Sequence, residues 1–301
     1  MKRKIGFIGI GITGTPMIRN LMKAGYELVV YNHNENNNLK ELVMEGAEQA
    51  FSPKEVAQKT NVIITMVPDS PQVYEVLLEK NGVIEGAREG SIVIDMSSIS
   101  PMVTKRIALK LLESGIRMMD APVSGGDIGA IKGTLAIMVG GKQEDFDECI
   151  DIFKAMGSSV TLIGENGAGQ ITKLANNMIV AINISAMSEA LVFATKAGVD
   201  PEKVYKAIRG GSAGSNVLDN KFPKMINRDF NPGFKVKLHI KDLENAIESG
   251  HEVGSILPLT TDVMEIMQSL RVDGLELDDH TSIVKFYEKL SNIKMEKKDK
   301  N

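Results

Sequence analysis

Short apolar runs alternate with segments of helical spacing through the first half of the chain. Six runs are predicted to be strands: residues 4–10, 27–31, 62–67, 91–95, 117–121 and 135–139. Several of them are apolar on consecutive residues, which is typical of strands that are buried on both faces of a sheet. The segments between them, the first of which ends at Ala24, are predicted to be covering helices. The pattern therefore predicts an α/β unit with a doubly wound parallel sheet.

Beyond about Gly164 the strand signal stops, and one helical segment follows another. These segments are residues 168–197, 201–209, 238–250, 258–270 and 280–290. The change predicts an N-terminal domain with the doubly wound sheet over residues 1–163 and an all-helical C-terminal domain over residues 164–301. The most apolar stretch, residues 178–194, contains Glu189 and other polar residues that a bilayer core would penalise, so we expect a buried helix there and no membrane span.

The composition is that of an ordinary globular protein. The chain has 301 residues, of which 43% are hydrophobic, so it can bury a large core. Its net charge of -4 leaves no broad cationic surface, and nucleic acid is therefore not an expected partner. A single cysteine, Cys149, cannot form an internal disulfide and fits a cytoplasmic protein. Residues 1–14 are basic and then apolar, but no small-residue cleavage site follows, so they are interpreted as mature protein.

A glycine-rich turn lies where the first predicted strand meets the first predicted helix. Gly9, Gly11 and Gly14 form the pattern G-x-G-x-x-G. Glycines at these positions permit a tight turn and allow backbone N–H groups at a helix start to approach a pyrophosphate. The pattern predicts a Rossmann-type site for NAD or NADP, with Ile12 and Thr13 as further contacts, although a purely structural turn would contain the same glycines.

The residues that follow the next strands do not decide between the two coenzymes. Asn32 occupies the position at which an acidic residue normally binds the ribose 2′-hydroxyl of NAD. A neutral side chain removes the repulsion of a 2′-phosphate, but the next residue is His33 and not an arginine that could bind it. Val67, Pro68 and Ser98 follow two further strands, at the edge where such sheets bind ligands, and are predicted to line the nicotinamide side.

Two groups of residues further along the chain have the chemistry of a substrate site. Ser124, Gly125 and Gly126 follow a strand and can present backbone N–H groups to a carboxylate, although a flexible turn would have the same sequence. Lys173 and Asn177 lie one turn apart on a predicted helix and therefore project from the same face. An ammonium is rarely buried without a partner, but a lysine near a helix start can also reach solvent.

The histidines do not form a predicted metal site. They are scattered as His33, His239, His251 and His280, and zinc sites need several ligands that converge. His239 is expected to be a capping or surface histidine. We therefore predict chemistry without a metal.

Five motifs, in this order, resemble the β-hydroxyacid dehydrogenases. They are GFIGIGITG, DMSSISP, DAPVSGG, GAGQITKLANN and HIKDL, and the similarity covers nearly the whole chain. The resemblance implies an NAD(P)-dependent oxidoreductase in which a Rossmann-type domain precedes a helical domain. Thr13 departs from the methionine that usually precedes the third glycine. Asn32 departs from the aspartate of many NAD-using members, which puts the coenzyme preference in doubt.

The resemblance also implies roles for individual residues. Lys173 matches the family's catalytic lysine, and Asn177 matches the amide that helps to hold the substrate oxygen. Ser124, Gly125 and Gly126 match the carboxylate-binding segment. The remaining matches are Ser98 as a cofactor contact, Lys241 as a lysine near the nicotinamide, and Phe234 and Asp242 as positions where the helical domain closes over the substrate.

The implied reaction acts on a small carboxylated aldehyde or hydroxy acid. The first expectation is the reduction of tartronate semialdehyde (2-hydroxy-3-oxopropanoate) to glycerate, with Lys173 as general acid and, in the reverse direction, as general base. Oxidation of 3-hydroxyisobutyrate or of another β-hydroxy acid is the alternative within the family. A non-catalytic nicotinamide-binding sensor is the alternative of another class. The resemblance further implies a homodimer or homotetramer.

Overall fold

The fold is seen in a computed structural model that describes residues 3–297. In this part of the chain, nine strands form one sheet. The strands are β1 (Lys4–Ile8), β2 (Glu27–Tyr31), β3 (Glu48–Gln49), β4 (Val62–Thr65), β5 (Ile92–Asp95), β6 (Arg117–Asp120), β7 (Val123–Ser124), β8 (Leu135–Gly140) and β9 (Gly157–Gly164). Their order is β3-β2-β1-β4-β5-β6-β8-β7, and β9 also pairs with β8.

The first six strands run parallel, as the pattern predicted. Helices alternate with the strands of this unit: α1 (Gly14–Lys23), α2 (Asn37–Met44), α3 (Pro53–Lys59), α4 (Ser70–Leu78), α5 (Pro101–Glu113), α6 (Gly126–Lys132) and α7 (Gln143–Met156). One region departs from the parallel arrangement, because β8 runs antiparallel to both β6 and β7. The doubly wound α/β fold itself is confirmed.

Consecutive apolar residues of the central strands supply two separate cores. Ile92 and Ile94 of β5 belong to the core on one face of the sheet, whereas Val93 between them belongs to the core on the other. Since side chains alternate across a strand, only a strand covered on both faces needs apolar residues at every position. This requirement explains why the central strands could be predicted from the sequence.

The described part of the helical half, up to residue 297, contains six α-helices. They are α8 (Ala168–Lys196), α9 (Pro201–Ile208), α10 (Asn216–Ile226), α11 (Val236–Glu252), α12 (Pro258–Val272) and α13 (Val284–Ser291), and a short 3₁₀ turn (His280–Ile283) precedes the last. Their apolar side chains form a third core, which includes Ile184 and Leu191 of α8 and Ile240 of α11. The all-helical C-terminal part is therefore confirmed.

Four elements were missed by the sequence pattern. Strands β3 and β7 have only two residues each, too few to show a period. Strand β9 is exposed or half-buried at most positions and so lacks an apolar run. Helix α10 contains Pro223 in its interior, which argues against a helix in sequence because proline lacks the N–H group for the backbone hydrogen bond.

The chain divides into two compact units, Met1–Lys173 and Leu174–Asn301. This division falls within α8, so Lys173 is the last residue of the first unit. Among the described residues, α8 is long and apolar enough to cross a membrane by length and composition, a property that core helices of soluble proteins share.

Candidate active site

The three motif glycines at the end of β1 have different physical roles. Gly9 has a φ of +107°, and a Cβ there would lie 2.2 Å from the carbonyl oxygen of Met66. A Cβ on Gly14, the first residue of α1, would lie 2.2 Å from the carbonyl oxygen of Gly9. Gly11 is exposed, and a Cβ there would meet nothing within 4 Å. The fold therefore requires Gly9 and Gly14, whereas Gly11 leaves open space beside the turn.

This open space fits a pyrophosphate. It lies at the N-terminus of α1, where backbone N–H groups have no partner within the helix and the helix dipole is positive. No acidic residue lies in the first turn of α1 to neutralise that dipole. Ile12 is 59% exposed and Thr13 is half-buried on the same turn. The residues present thus fit the diphosphate of a dinucleotide.

Asn32, at the end of β2, braces the glycine turn. Its Oδ1 accepts a hydrogen bond from the N–H of Ile10 at 2.8 Å, and its Nδ2 donates to the carbonyl of Asn34 at 2.6 Å. Nδ2 of Asn36 donates to the carbonyl of Ile10 at 3.0 Å. A carboxylate at position 32 would keep the first bond but would face the Asn34 carbonyl without a proton. Asn32 therefore has a structural role beside any contact with a ribose, and His33 next to it is exposed.

The loops after β4 and β5 lie at the same edge of the sheet as the glycine turn. Strands β1, β4 and β5 are parallel neighbours, so their carboxyl ends meet at one edge. The N–H of Val67 donates to Oγ of Ser97 at 3.0 Å, which joins the two loops. Pro68 is exposed and Ser98 is half-buried. The first unit thus brings Val67, Pro68 and Ser98 to the edge that carries the motif glycines.

Asp95, which the sequence reasoning did not single out, lies beneath these loops. Its side chain is fully buried, and Oδ1 accepts hydrogen bonds from Oγ1 of Thr65 at 2.8 Å and from the N–H of Ser97 at 3.1 Å. Oδ2 is buried and has no hydrogen-bond partner. Burial raises the pKa of Asp95 to about 6. The backbone of Ser97 is therefore held by a carboxyl group that burial makes harder to ionise.

The predicted carboxylate-binding segment lies between β7 and α6. Gly125 has a φ of +137° and Gly126 a φ of +65°, and both residues are exposed. A Cβ on Gly126 would meet nothing within 4 Å, so its backbone is open to a ligand. Ser124, the last residue of β7, is half-buried. Asp127 places a negative charge in the first turn of α6, which works against anion binding at the helix start itself.

Lys173 lies in the second turn of α8 and is partly buried. Asn177, one turn further along the helix, is 3% exposed. Its Nδ2 donates to Oδ2 of Asp242 at 2.5 Å, and its Oδ1 accepts from Nδ2 of Asn176 at 2.9 Å. Nζ of Lys241 lies 3.1 Å from Oδ1 of Asp242. The second unit therefore brings Asn177, Lys241 and Asp242, three residues predicted from sequence, into one cluster.

Two buried histidines lie behind this cluster. Nε2 of His239 is 3.0 Å from the carbonyl oxygen of Asn177, and Nδ1 of His239 is 2.9 Å from Nδ1 of His280. A carbonyl only accepts, so Nε2 of His239 carries the proton and, in the neutral ring, Nδ1 accepts from His280. Burial and the nearby charges of Lys221 and Lys224 hold the pKa of His280 well below its usual value. The His280 ring is therefore neutral.

These contacts correct the interpretation of His239 as a capping or surface residue, because its side chain is 0% exposed. The ring of Phe234 lies 5.0 Å from that of His239 and 5.2 Å from that of His280, measured between centroids. The N–H of Phe234 donates to the buried carboxylate of Asp279 at 3.0 Å. Phe234 thus belongs to the packing of the histidine pair.

Acids at the ends of apolar strands were the signal that the sequence reasoning overlooked. Asp95 ends β5 and Asp120 ends β6, and the two are paired in register. A charged residue at the end of a buried strand needs partners. Within residues 3–297, no three His, Cys, Asp or Glu side chains form a group that could hold a metal ion.

Profiles of known protein families match both halves of the chain. A family profile described as the NAD binding domain of 6-phosphogluconate dehydrogenase matches residues 4–164. A second profile, described as "NAD-binding of NADP-dependent 3-hydroxyisobutyrate dehydrogenase", matches residues 167–287.

Individual proteins are similar over almost their whole length. The 2-hydroxy-3-oxopropionate reductase of Escherichia coli (strain K12) is 45% identical over 97% of this chain and 99% of its own. The mitochondrial 3-hydroxyisobutyrate dehydrogenase of Bos taurus is 35% identical over 95% of this chain and 87% of its own. The crystal structure of a 3-hydroxyisobutyrate dehydrogenase from Salmonella typhimurium matches with a TM-score of 0.86 at 26% identity, over 94% of this chain and 99% of that one.

Proposed function

Because the chain belongs to the β-hydroxyacid dehydrogenase family and is an NAD(P)-dependent oxidoreductase, we propose that it reduces tartronate semialdehyde (2-hydroxy-3-oxopropanoate) to glycerate. The observation that carries this choice of substrate is the 45% identity to a 2-hydroxy-3-oxopropionate reductase over 99% of that enzyme. The 35% identity to the bovine 3-hydroxyisobutyrate dehydrogenase makes oxidation of 3-hydroxyisobutyrate the second candidate.

Lys173 is the proposed general acid and base. When bound, the reduced nicotinamide supplies the hydride for the aldehyde carbon. The carbonyl oxygen then gains negative charge, which the Lys173 ammonium stabilises before it transfers its proton to that oxygen. In the oxidative direction the neutral amine removes the proton from the substrate hydroxyl. The lysine is restored by exchange with water.

Asn177 is the proposed hydrogen-bond donor to the same substrate oxygen. Its Nδ2 carries two protons, one of which is donated to Asp242 at 2.5 Å, so the amide is held with its second proton available for a ligand. Lys241 is proposed as a cofactor contact near the nicotinamide, and Asp242 and Phe234 as residues that border the substrate.

The substrate carboxylate is proposed to bind the backbone N–H groups of Ser124, Gly125 and Gly126. The open space at Gly126 and the left-handed backbone of this segment support the proposal. The dinucleotide is proposed to bind along the glycine turn and the loops after β2, β4 and β5. Either NAD or NADP is compatible with Asn32, and no metal takes part.

The decisive experiment measures the consumption of NADH and NADPH with tartronate semialdehyde, and the reduction of NAD⁺ and NADP⁺ with 3-hydroxyisobutyrate. We expect kcat/KM to be at least tenfold higher for the semialdehyde. A preference for 3-hydroxyisobutyrate would replace the proposed substrate, and no turnover with any β-hydroxy acid would favour a non-catalytic sensor.

The role of Lys173 is tested by Lys173→Ala. We expect kcat to fall by a factor of about 10³ or more, because the developing alkoxide loses both its proton source and its counter-charge. The dissociation constant of NADH or NADPH, measured by fluorescence titration, should change less than about threefold, since Lys173 has no proposed role in coenzyme binding. Lys203→Ala, an exposed lysine of α9, is the matched control. Near-wild-type turnover in Lys173→Ala would remove the lysine from the chemistry.

We also propose a cytoplasmic homodimer or homotetramer that binds neither nucleic acid nor membranes. Ile179 and Phe193 on α8 are 61% and 73% exposed, and apolar residues of this size at the surface of one chain support self-association. Light scattering of the purified protein tests the subunit number. A monomer at micromolar concentration would contradict the proposal.

A further inference from the structure

Asp120 caps a helix that begins 48 residues later in the chain. Its Oδ1 accepts a hydrogen bond from the N–H of Gly167 at 2.7 Å, and its Oδ2 accepts one from the N–H of Gln170 at 2.9 Å. Gly167 directly precedes Ala168, the first residue of α8. The carboxylate therefore occupies the place that the side chain of an N-cap residue normally fills.

The residue at the capping position cannot do this itself. Gly167 has no side chain, and its φ of +92° disfavours any residue that has one. The first N–H groups of a helix need acceptors, and a negative charge at this end is stabilised by the helix dipole. Asn166 adds a second link to the same strand, since its Nδ2 donates to the carbonyl of Met118 at 2.8 Å. Strand β6 thus supplies the acceptors for two of the backbone N–H groups at the start of α8.

Two glycines make room for the carboxylate. A Cβ on Gly140 of β8 would lie 2.6 Å from Oδ1 of Asp120. A Cβ on Gly169, in the first turn of α8, would lie 2.8 Å from Oδ2 of Asp120 and 2.4 Å from the carbonyl oxygen of Met138. The helix can approach the sheet this closely only because both positions lack side chains. The close packing at these two glycines and the hydrogen bonds to Asp120 therefore favour one and the same position of α8 against the sheet.

Gln170 ties the same turn to a second strand. Its side chain is 0% exposed. Its Nε2 donates to the carbonyl of Ser97 at 2.7 Å, and its Oε1 accepts from the N–H of Ile99 at 3.1 Å. These two bonds hold the loop after β5 on either side of Ser98, a predicted cofactor contact. One turn of α8 is thus attached to the ends of both β5 and β6.

We propose that Asp120 and Gln170 are positioning residues that clamp the first turn of α8 onto the nucleotide-binding sheet and thereby fix where Lys173 is presented. Lys173 lies three residues after Gln170, about 4.5 Å along the helix axis, and it belongs to the same compact unit. The inference rests on the proposed role of Lys173 in proton transfer. Burial raises the pKa of Asp120 to about 6, while the N–H groups of Gly167 and Gln170 oppose the rise, so the carboxylate is ionised at neutral pH.

The test compares Asp120→Asn and Gln170→Ala with Ser52→Ala. Asparagine keeps the size of Asp120 but only one acceptor oxygen, so one N–H of the helix start loses its partner. Ser52 is the matched control because its hydroxyl caps α3 in the same unit, where it accepts from the N–H of Glu55. The measured quantities are kcat, KM, the dissociation constant of NADH or NADPH, the melting temperature, and hydrogen exchange of the amides at residues 167–174.

We expect kcat to fall about 10- to 100-fold in both clamp variants, because a displacement of about 1 Å at a reacting group costs up to about 10² in rate. KM and the coenzyme dissociation constant should stay within about threefold in Asp120→Asn, and the amides of residues 167–174 should exchange at least tenfold faster in both variants. Gln170→Ala also frees the loop around Ser98, so its coenzyme dissociation constant is not used as a criterion. Ser52→Ala should lose a similar amount of thermal stability without any change in kcat. If Asp120→Asn does not fold, Gln170→Ala carries the same comparison.

Folded clamp variants with wild-type kcat would overturn the proposal, as would a loss of kcat no greater than that of Ser52→Ala. A parallel rise in KM and in the coenzyme dissociation constant of Asp120→Asn would also overturn it, because it would indicate general damage to the sheet edge. Failure of the proposed function would give a different result, because Lys173→Ala itself would then keep its turnover. In that case only the hydrogen exchange of residues 167–174 would show whether Asp120 and Gln170 hold the start of α8.

Discussion

Replacing Asp95 with asparagine should change the stability of the protein in a manner that depends on pH. The wild-type carboxyl group is fully buried, Oδ2 lacks a hydrogen-bond partner, and burial raises the pKa to about 6 from an ordinary value of 3.8. Asparagine keeps the oxygen that accepts from Thr65 and Ser97 but cannot ionise. Its buried NH₂ group also needs acceptors, a cost that does not vary with pH.

The size of the effect follows from the two pKa values. When a group binds its proton more tightly in the folded state, the protein loses stability as the pH rises from the unfolded-state pKa of that group to its folded-state pKa. With 3.8 and about 6, the wild-type protein loses about 1.4 kcal/mol between pH 5 and pH 8 through Asp95. The full loss from low pH approaches about 3 kcal/mol, and relaxation of the buried site makes this an upper value.

The assay is urea unfolding of both proteins at pH 5 and pH 8. The free energy of unfolding of Asp95→Asn minus that of wild type should be about 1 kcal/mol larger at pH 8 than at pH 5, because only the wild type loses stability through residue 95 over this range. Asp151→Asn, an exposed carboxyl of α7, is the control and should show no such difference. The reasoning is refuted if the Asp95→Asn difference is the same at both pH values, since the buried carboxyl would then not titrate between them.

Other predictions concern the glycine turn, the histidine pair and metal dependence. Gly9→Ala should unfold at a much lower temperature or fail to fold, whereas Gly11→Ala should keep its melting temperature and bind NADH or NADPH at least tenfold more weakly; the reverse order would contradict the assigned roles. His280 should be neutral in ¹⁵N NMR spectra at pH 6.5, where an ordinary histidine is about half protonated, and an imidazolium signal at that pH would refute the lowered pKa. Prolonged treatment with EDTA should leave kcat unchanged, and a loss that zinc restores would exclude the metal-free chemistry.

The strands that the sequence predicted share one property. Each of the main strands β1, β4 and β5 is covered on both faces, so its residues had to be apolar at nearly every position. Strand β9 has one exposed side, and its pattern is too weak to predict. The antiparallel pairing of β8 was also invisible, because the apolar pattern of a strand does not encode its direction.

The candidate site divides in a similar way. The glycine turn could be located because its function depends on neighbouring residues in the chain, and Gly9 and Gly14 are required by local sterics. The roles of Asp120 and His239 could not be predicted from the sequence. Asp120 meets Gly167 across 47 residues and His239 meets Asn177 across 62, and the type of a residue does not reveal such distant partners.

The sequence by itself determined the main strands and helices, the place of the glycine turn and the position of Lys173 on α8, because backbone preferences and apolar periodicity act over a few neighbouring residues. Only the tertiary structure decided that Asp95, Asp120 and His239 are buried and which atoms satisfy them. Those outcomes depend on hydrogen bonds and close packing between segments that are remote in sequence, and burial is a property of the whole fold.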